Sequence, residues 1–161
     1  MRPGSLSTKL NVHLRETELV GKIVREFGQW HEVPEQMVFV VKLSLDELVT
    51  NIVVHSASRN PTVHEIVLRL HTNQHELHAE VEDDGCAFNP LELPEPDVNA
   101  TLQDRDPGGL GIHLVRSLMD RVNYRRVGHR NLLTLSKRIP QTAPPVCAGP
   151  SHSPSPSPIE P

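Results

Sequence analysis

The stretch DELVTNIVVHS, residues 46–56, places Glu47, Asn51 and His55 at i, i+4 and i+8. At about 100° per helical residue these side chains share one face, and Ser44 falls within roughly 40° of Asn51 as well. Nearly everything else on that helix is apolar: Leu43, Leu45, Leu48, Val49, Ile52, Val53 and Val54. A solvated surface does not read as a narrow polar stripe between apolar walls. A carboxylate and a carboxamide one turn apart on a largely buried helix suit a site where a base and a metal-binding oxygen are positioned together. The plainer alternative is a polar edge where the helix meets solvent.

Outward from this stretch, Pro34 suits the first turn of the helix, which is expected from about Glu35 to Ala57. Before it, Glu16–Trp30 carries Leu19, Val20, Ile23, Val24 and Phe27 at helical spacing, and Phe27 and Trp30 are expected in the core or an interface. Thr8–Arg15 alternates as a strand, with Leu10, Val12 and Leu14 inward. After it, Glu65–His71 and Glu76–Glu82 alternate as two strands joined at Asn73-Gln74. Phe88–Pro107 holds Pro90, Pro94, Pro96 and Pro107 with several acids and no period. A loop this long in a compact domain is expected to be a functional lid. Gly109–Val122 returns to helical spacing, and Arg121–Val127 with Leu132–Ile139 closes the domain as a hairpin turning near Gly128-His129. This order predicts an α+β fold, a two-layer sandwich of helices on a mixed, mostly antiparallel sheet, over residues 6–139. Residues 140–161 hold 8 of the chain's 15 prolines and almost no large apolar side chains, the composition of a disordered Pro/Ser-rich tail.

Composition narrows the function classes. The net charge is −4, and the basic residues are scattered apart from Arg121, Arg125, Arg126 and Arg130. An aromatic content of 3% leaves little on which to stack bases, so nucleic acid is not the expected partner. Apolar runs are a few residues long, too short for a membrane span, and the start MRPGSLSTKLNVHL is not a signal peptide. Two cysteines, Cys86 and Cys147, make no disulfide framework, and a cytoplasmic location is expected. His71, His75 and His78 straddle a hairpin with His75 and His78 on opposite faces, which is no metal cluster.

Two further motifs carry chemistry. VEDDGCAFNP, residues 81–90, ends a strand with Asp83, Gly85 and Ala87 in a D-x-G-x-A pattern. A strand-end carboxylate accepts from an amino group such as that of adenine, and small residues after it let backbone approach a flat ligand; an acidic glycine turn is the plainer alternative. PGGLGIHLV, residues 107–115, puts Gly108, Gly109 and Gly111 where a helix begins. Such a start exposes N–H groups and the positive dipole end to phosphate oxygens, though a simple turn has the same composition. It is not a P-loop, because no Gly-Lys-Ser/Thr follows.

In chain order these are a helix with Glu and Asn, a strand-end Asp-x-Gly, a long loop and a Gly-rich helix start. That order resembles the Bergerat ATP-binding fold of gyrase, heat-shock chaperone, histidine-kinase and mismatch-repair ATPases. DELVTNIVVHS, VEDDGCAFNP and GGLGIHLVRSLMD, within about residues 8–138, resemble the three boxes of the anti-sigma factor serine kinases of bacterial partner switching. The resemblance implies ATP and Mg²⁺ as ligands. Asn51 would hold Mg²⁺ through its amide oxygen, and Glu47 would accept or orient the proton of the attacking hydroxyl. Asp83 would bind the adenine amino group, with Gly85 and Ala87 giving it room. Gly108, Gly109, Leu110 and Gly111 would form the phosphate end, and Thr134 would touch adenine through water. It also implies a protein serine/threonine kinase that phosphorylates a STAS-type antagonist, sequesters a sigma factor or similar target, and forms a homodimer. Two departures stand out. Pro107-Gly108 occupy the place of an Arg-Ser pair, with Arg105 two residues before Pro107, and Ala87 stands where the first glycine box ends in Gly. The alternative is a nucleotide-tuned binding module of such a pathway without kinase activity.

Overall fold

A computed structural model describes residues 4–56, 63–73, 75–94 and 109–140. The expected lid beyond residue 94, with Arg105, Pro107 and Gly108, and the expected tail beyond residue 140 lie outside the described residues. The elements run β1 (Ser5–Leu10), α1 (Glu16–Trp30), α2 (Glu35–Ser56), β2 (Ile66–Thr72), β3 (Glu76–Asp83), a 3₁₀ turn (Pro90–Glu92), α3 (Gly109–Leu118), β4 (Arg121–Val127) and β5 (Arg130–Arg138). The five strands form one sheet in the order β1-β2-β3-β5-β4, and all four ladders are antiparallel. The fold is the expected α+β sandwich.

One sheet face is apolar and carries the helices. Val20, Val24 and Phe27 of α1, Val41, Leu45 and Val49 of α2, and Ile112 and Val115 of α3 close over Ile66, Leu68, Leu70, Leu77, Val81 and Leu135. At about 25 cal/mol per Å² of apolar surface removed from water, this burial is the main force holding the layers. The helix α2 starts where the Pro34 carbonyl accepts from Met37 and Val38 N–H groups, which leaves proline's missing donor without consequence. Trp30 is exposed while Phe27 is in the core, its ring 4.5 Å from that of His31. Among the described residues no helix is long and apolar enough to cross a membrane.

The first strand departs from expectation. It ends at Leu10 rather than continuing to Arg15, because its partner β2 begins at Ile66, paired with Leu10. Beyond that the chain turns, with His13 N–H on the Asn11 carbonyl and Glu16 N–H on the His13 carbonyl. The alternation through Val12 and Leu14 therefore belongs to a turn, and Leu14 is 50% exposed. The third helix stops at Leu118, short of Val122, since Asp120 N–H already bonds the Ser136 carbonyl of β5.

Insertion of β5 between β3 and β4 decides the geometry that follows. It puts Asp83, the last residue of β3, directly opposite Asn131.

Candidate nucleotide site

On α2, Ser44 is fully buried and its hydroxyl donates to the Val40 carbonyl at 3.0 Å, so it serves the helix itself. Glu47, Asn51 and His55 are half-buried. Asn51 and His55 line an open cavity between the helices and the sheet, of about 660 Å³ counting its open mouth. One turn earlier, Glu47 packs its carboxylate against Gly111, the third residue of α3. A methyl group added at Gly111 would overlap that carboxylate and come 3.8 Å from the Asn51 amide nitrogen. Glu47 and Asn51 thus converge on the start of α3, as their spacing on one helix face requires.

The cavity walls are mostly apolar, including Leu48, Ile52, Val63, Val81, Phe88 and Leu133, and polar side chains enter the lining from Asn51, His55, Asp83, Tyr124 and Asn131. Asp83 is buried, with 8% of its surface exposed. Burial raises its pKa above the ordinary carboxylate value, although two donors oppose the rise: the Asn131 amide and the Gly85 N–H. Both reach Oδ1 at 2.9 Å. Asp84 faces elsewhere. Its Oδ1 accepts from the His64 and Glu65 N–H groups at 2.8 and 3.0 Å, and these donors hold its pKa low against partial burial. That contact ties down the segment entering β2, which carries Val63. A Cβ at Gly85 would sit 2.8 Å from Val63 and 2.9 Å from the Asp83 carboxylate, so only glycine leaves the slot open there.

An apolar slot with a buried carboxylate, beside a glycine-opened helix that faces a carboxylate and a carboxamide, is the pattern the three sequence boxes pointed to. Residues 10–137 match the histidine kinase-like ATPase domain. The chain belongs to the histidine kinase-like ATPase family. It is similar to the serine/threonine-protein kinase BtrW of Bordetella bronchiseptica, at 33% identity over 99 residues, covering 61% of this chain and 68% of that protein. Among solved structures it resembles the RsbU and RsbW domains of Rv1364c from Mycobacterium tuberculosis, with a TM-score of 0.58 at 14% identity over 84% of the chain. It also resembles the histidine kinase domain of a blue-light activated histidine kinase from Erythrobacter litoralis, with a TM-score of 0.50 at 18% identity over 81% of the chain. The chain spans 32% and 62% of those two structures, and at such identities the likeness is one of fold.

Within this histidine kinase-like ATPase domain the expected site residues fall into three groups. Asn51, Asp83 and Gly85 meet in the cavity, and Glu47 and Gly111 meet beside it. Gly109 opens α3, Leu110 is 54% exposed, Ala87 is exposed in the turn after β3, and Gly108 lies outside the described residues. Thr134 is a correction. Side chains alternate along β5, and Asn131 and Leu133 face the cavity, so Thr134 points to the opposite sheet face, beside His71, His78 and Glu80. The residue in contact with Asp83 is Asn131, and strand parity together with the β3–β5 register would have found it. The donor set fits a nucleotide with a divalent cation. Asn51 brings a carboxamide, a group with a hard oxygen donor, to the glycine-opened start of α3, and Asp83 offers an acceptor in a mostly apolar slot.

Proposed function

We propose that this chain is an ATP-dependent serine/threonine protein kinase acting as an anti-sigma regulatory factor. It phosphorylates a STAS-type antagonist and, while the antagonist is phosphorylated, sequesters a sigma factor or similar target; a homodimer is part of the same proposal. The observation that carries it is the convergence of Glu47 and Asn51 on the start of α3, with Asn51 shared by the slot that holds Asp83. The 33% identity to a protein named a serine/threonine kinase supports it.

ATP is the substrate. Asp83 accepts from the adenine amino group between the apolar walls, and the start of α3 receives the phosphates. Magnesium, held through the Asn51 carboxamide oxygen, supplies charge neutralisation on the phosphates when bound. The bond from the γ-phosphorus to the bridging oxygen of ADP breaks as a bond forms to the Ser or Thr oxygen of the antagonist. Glu47 takes the hydroxyl proton. Such a site works by positioning, which is why a rigid helix carrying both side chains matters.

A nucleotide-tuned binding module without transfer is the second candidate, favoured by Pro107-Gly108 standing in place of Arg-Ser. Transfer of radiolabelled γ-phosphate to the cognate STAS protein, with nucleotide affinity measured in parallel, separates the two. Wild type is expected to transfer label. Glu47→Ala should keep ATP affinity and lose transfer by about 10²-fold or more, the scale of a positioned base. Asn51→Ala should lose Mg²⁺-dependent ATP affinity as well. Tight ATP binding by wild type with transfer no faster than Glu47→Ala would establish the binding module instead.

A further inference from the structure

One buried carboxamide organises the base end of the cavity. Asn131, 7% exposed, donates through Nδ2 to Asp83 Oδ1 and to the Cys86 carbonyl, both at 2.9 Å. Its Oδ1 accepts from the Tyr124 hydroxyl at 2.7 Å, from Arg126 Nη1 at 2.9 Å and from the Phe88 N–H at 3.4 Å. The same Arg126 nitrogen donates to the Gly85 carbonyl at 2.8 Å. A guanidinium has donors only, and the Cys86 carbonyl accepts only. The amide oxygen must therefore face Arg126, and the amide nitrogen must face Asp83 and Cys86. Three pieces of chain meet at this side chain: β4, β5 and the turn that follows β3.

We propose that Asn131 and Arg126 are positioning residues for nucleotide-base recognition, holding the Asp83 carboxylate and the turn at residues 85–88 in the geometry that reads an exocyclic amine. This rests on the assignment of the cavity to adenine. An amine is read by an acceptor, and burial alone favours the protonated carboxyl, which donates. The Asn131 amide opposes that by donating to Oδ1, which favours the accepting carboxylate form and leaves Oδ2 for the ligand. Arg126 acts one step further out. It holds the oxygen end of Asn131, so the carboxamide cannot flip, and it fixes the Gly85 carbonyl, so the turn cannot close into the slot. An edge-strand arginine thereby bears on base specificity without touching the base.

The test compares ATP with inosine triphosphate, which carries an oxo group where ATP has its amine. Dissociation constants of both Mg²⁺ complexes are measured by calorimetry on the full chain for wild type, Asn131→Asp and Arg126→Met. Asn131→Asp is isosteric, keeps an acceptor for Tyr124 and Arg126, and replaces the two Nδ2 hydrogen bonds with a carboxylate oxygen that faces Asp83 Oδ1 and the Cys86 carbonyl. It is expected to weaken ATP by about tenfold or more, the cost of disturbing a hydrogen bond to a charged group. Inosine triphosphate should change much less, so the preference for ATP collapses. Arg126→Met should act in the same direction to a smaller extent. A purely structural role predicts instead that both nucleotides weaken by one common factor. A wild-type ATP preference retained in both variants overturns the inference, and should Asn131→Asp fail to fold, its retention in Arg126→Met alone does so. Wild type binding both nucleotides equally would instead sink the adenine assignment, and the inference with it.

Discussion

Gly111 has no room for a side chain, yet its obstacle is the tip of the flexible Glu47 side chain and not the backbone. An alanine there should push Glu47 aside at little structural cost, while alanine in place of glycine inside a helix ordinarily adds about 1 kcal/mol of stability. Gly111→Ala is therefore expected to melt within a few degrees of wild type, bind the adenine end normally, and lose phosphoryl transfer by about 10²-fold. A stable variant with undiminished transfer would separate Glu47 from the chemistry. Asp83 makes the complementary case. Its folded pKa is raised, so between the ordinary carboxylate value and that raised value the folded state binds more protons than the unfolded one, and stability falls as pH rises through that window. Above it the buried charge is a standing cost. Asp83→Asn keeps an oxygen for the Gly85 N–H and removes the charge. Its melting temperature at neutral pH should be no lower than wild type, and its ATP affinity lower by about 1–3 kcal/mol. A melting temperature several degrees lower, with ATP affinity unchanged, would make Asp83 structural.

At the scale of elements, helix ends are placed by backbone accounting. The first helix closes with Val33 N–H on the Gly28 carbonyl at 2.9 Å and Glu32 N–H on the Gln29 carbonyl at 3.4 Å. Glu32 itself sits at φ 54°, the left-handed position that such a closure requires. Glycine is the usual residue there, because a side chain at this φ costs about 1 kcal/mol or more. Nothing in the apolar periodicity announces that closure; the helix ends where it does because Val33 is buried and pulls the chain back onto the core. Glu32→Gly should accordingly raise stability by about 0.5–1 kcal/mol, less than the full strain because glycine also loosens the unfolded chain. Urea denaturation reads this as a higher midpoint at constant slope. A lower midpoint would show that the Glu32 side chain contributes more than its backbone costs.

On the scale of the whole molecule, the two sheet faces divide the work. The inner face holds the core and the cavity. The outer face carries an ionic ladder in which Arg69 bonds Glu80 and Glu82 at 2.7 and 2.6 Å, Arg130 reaches Glu65 and Glu82, and Lys9 reaches Glu65. This division also accounts for what was legible in the sequence. The α2 stripe, the strand-end Asp83 and the helix-opening glycines were readable because each is a local pattern on one element. The clamp at Asn131 and the orientation of Thr134 were not, because both depend on β5 slotting between β3 and β4, a pairing across 48 residues for Asp83 and Asn131. The end of β1 was likewise set by where its partner begins. The division predicts that the outer face can be altered without touching nucleotide. Thr134→Ala should leave ATP affinity unchanged. Arg69→Met keeps the apolar stem, removes the charge, and leaves Glu80 and Glu82 side by side on β3 without it. With Arg69 40% exposed, the loss is expected to be about 1 kcal/mol at low ionic strength. That loss should shrink in about 1 M salt, where the screening length drops to about 3 Å. A loss of ATP affinity by either variant, with folding intact, would mean that the outer face reports to the cavity through the sheet.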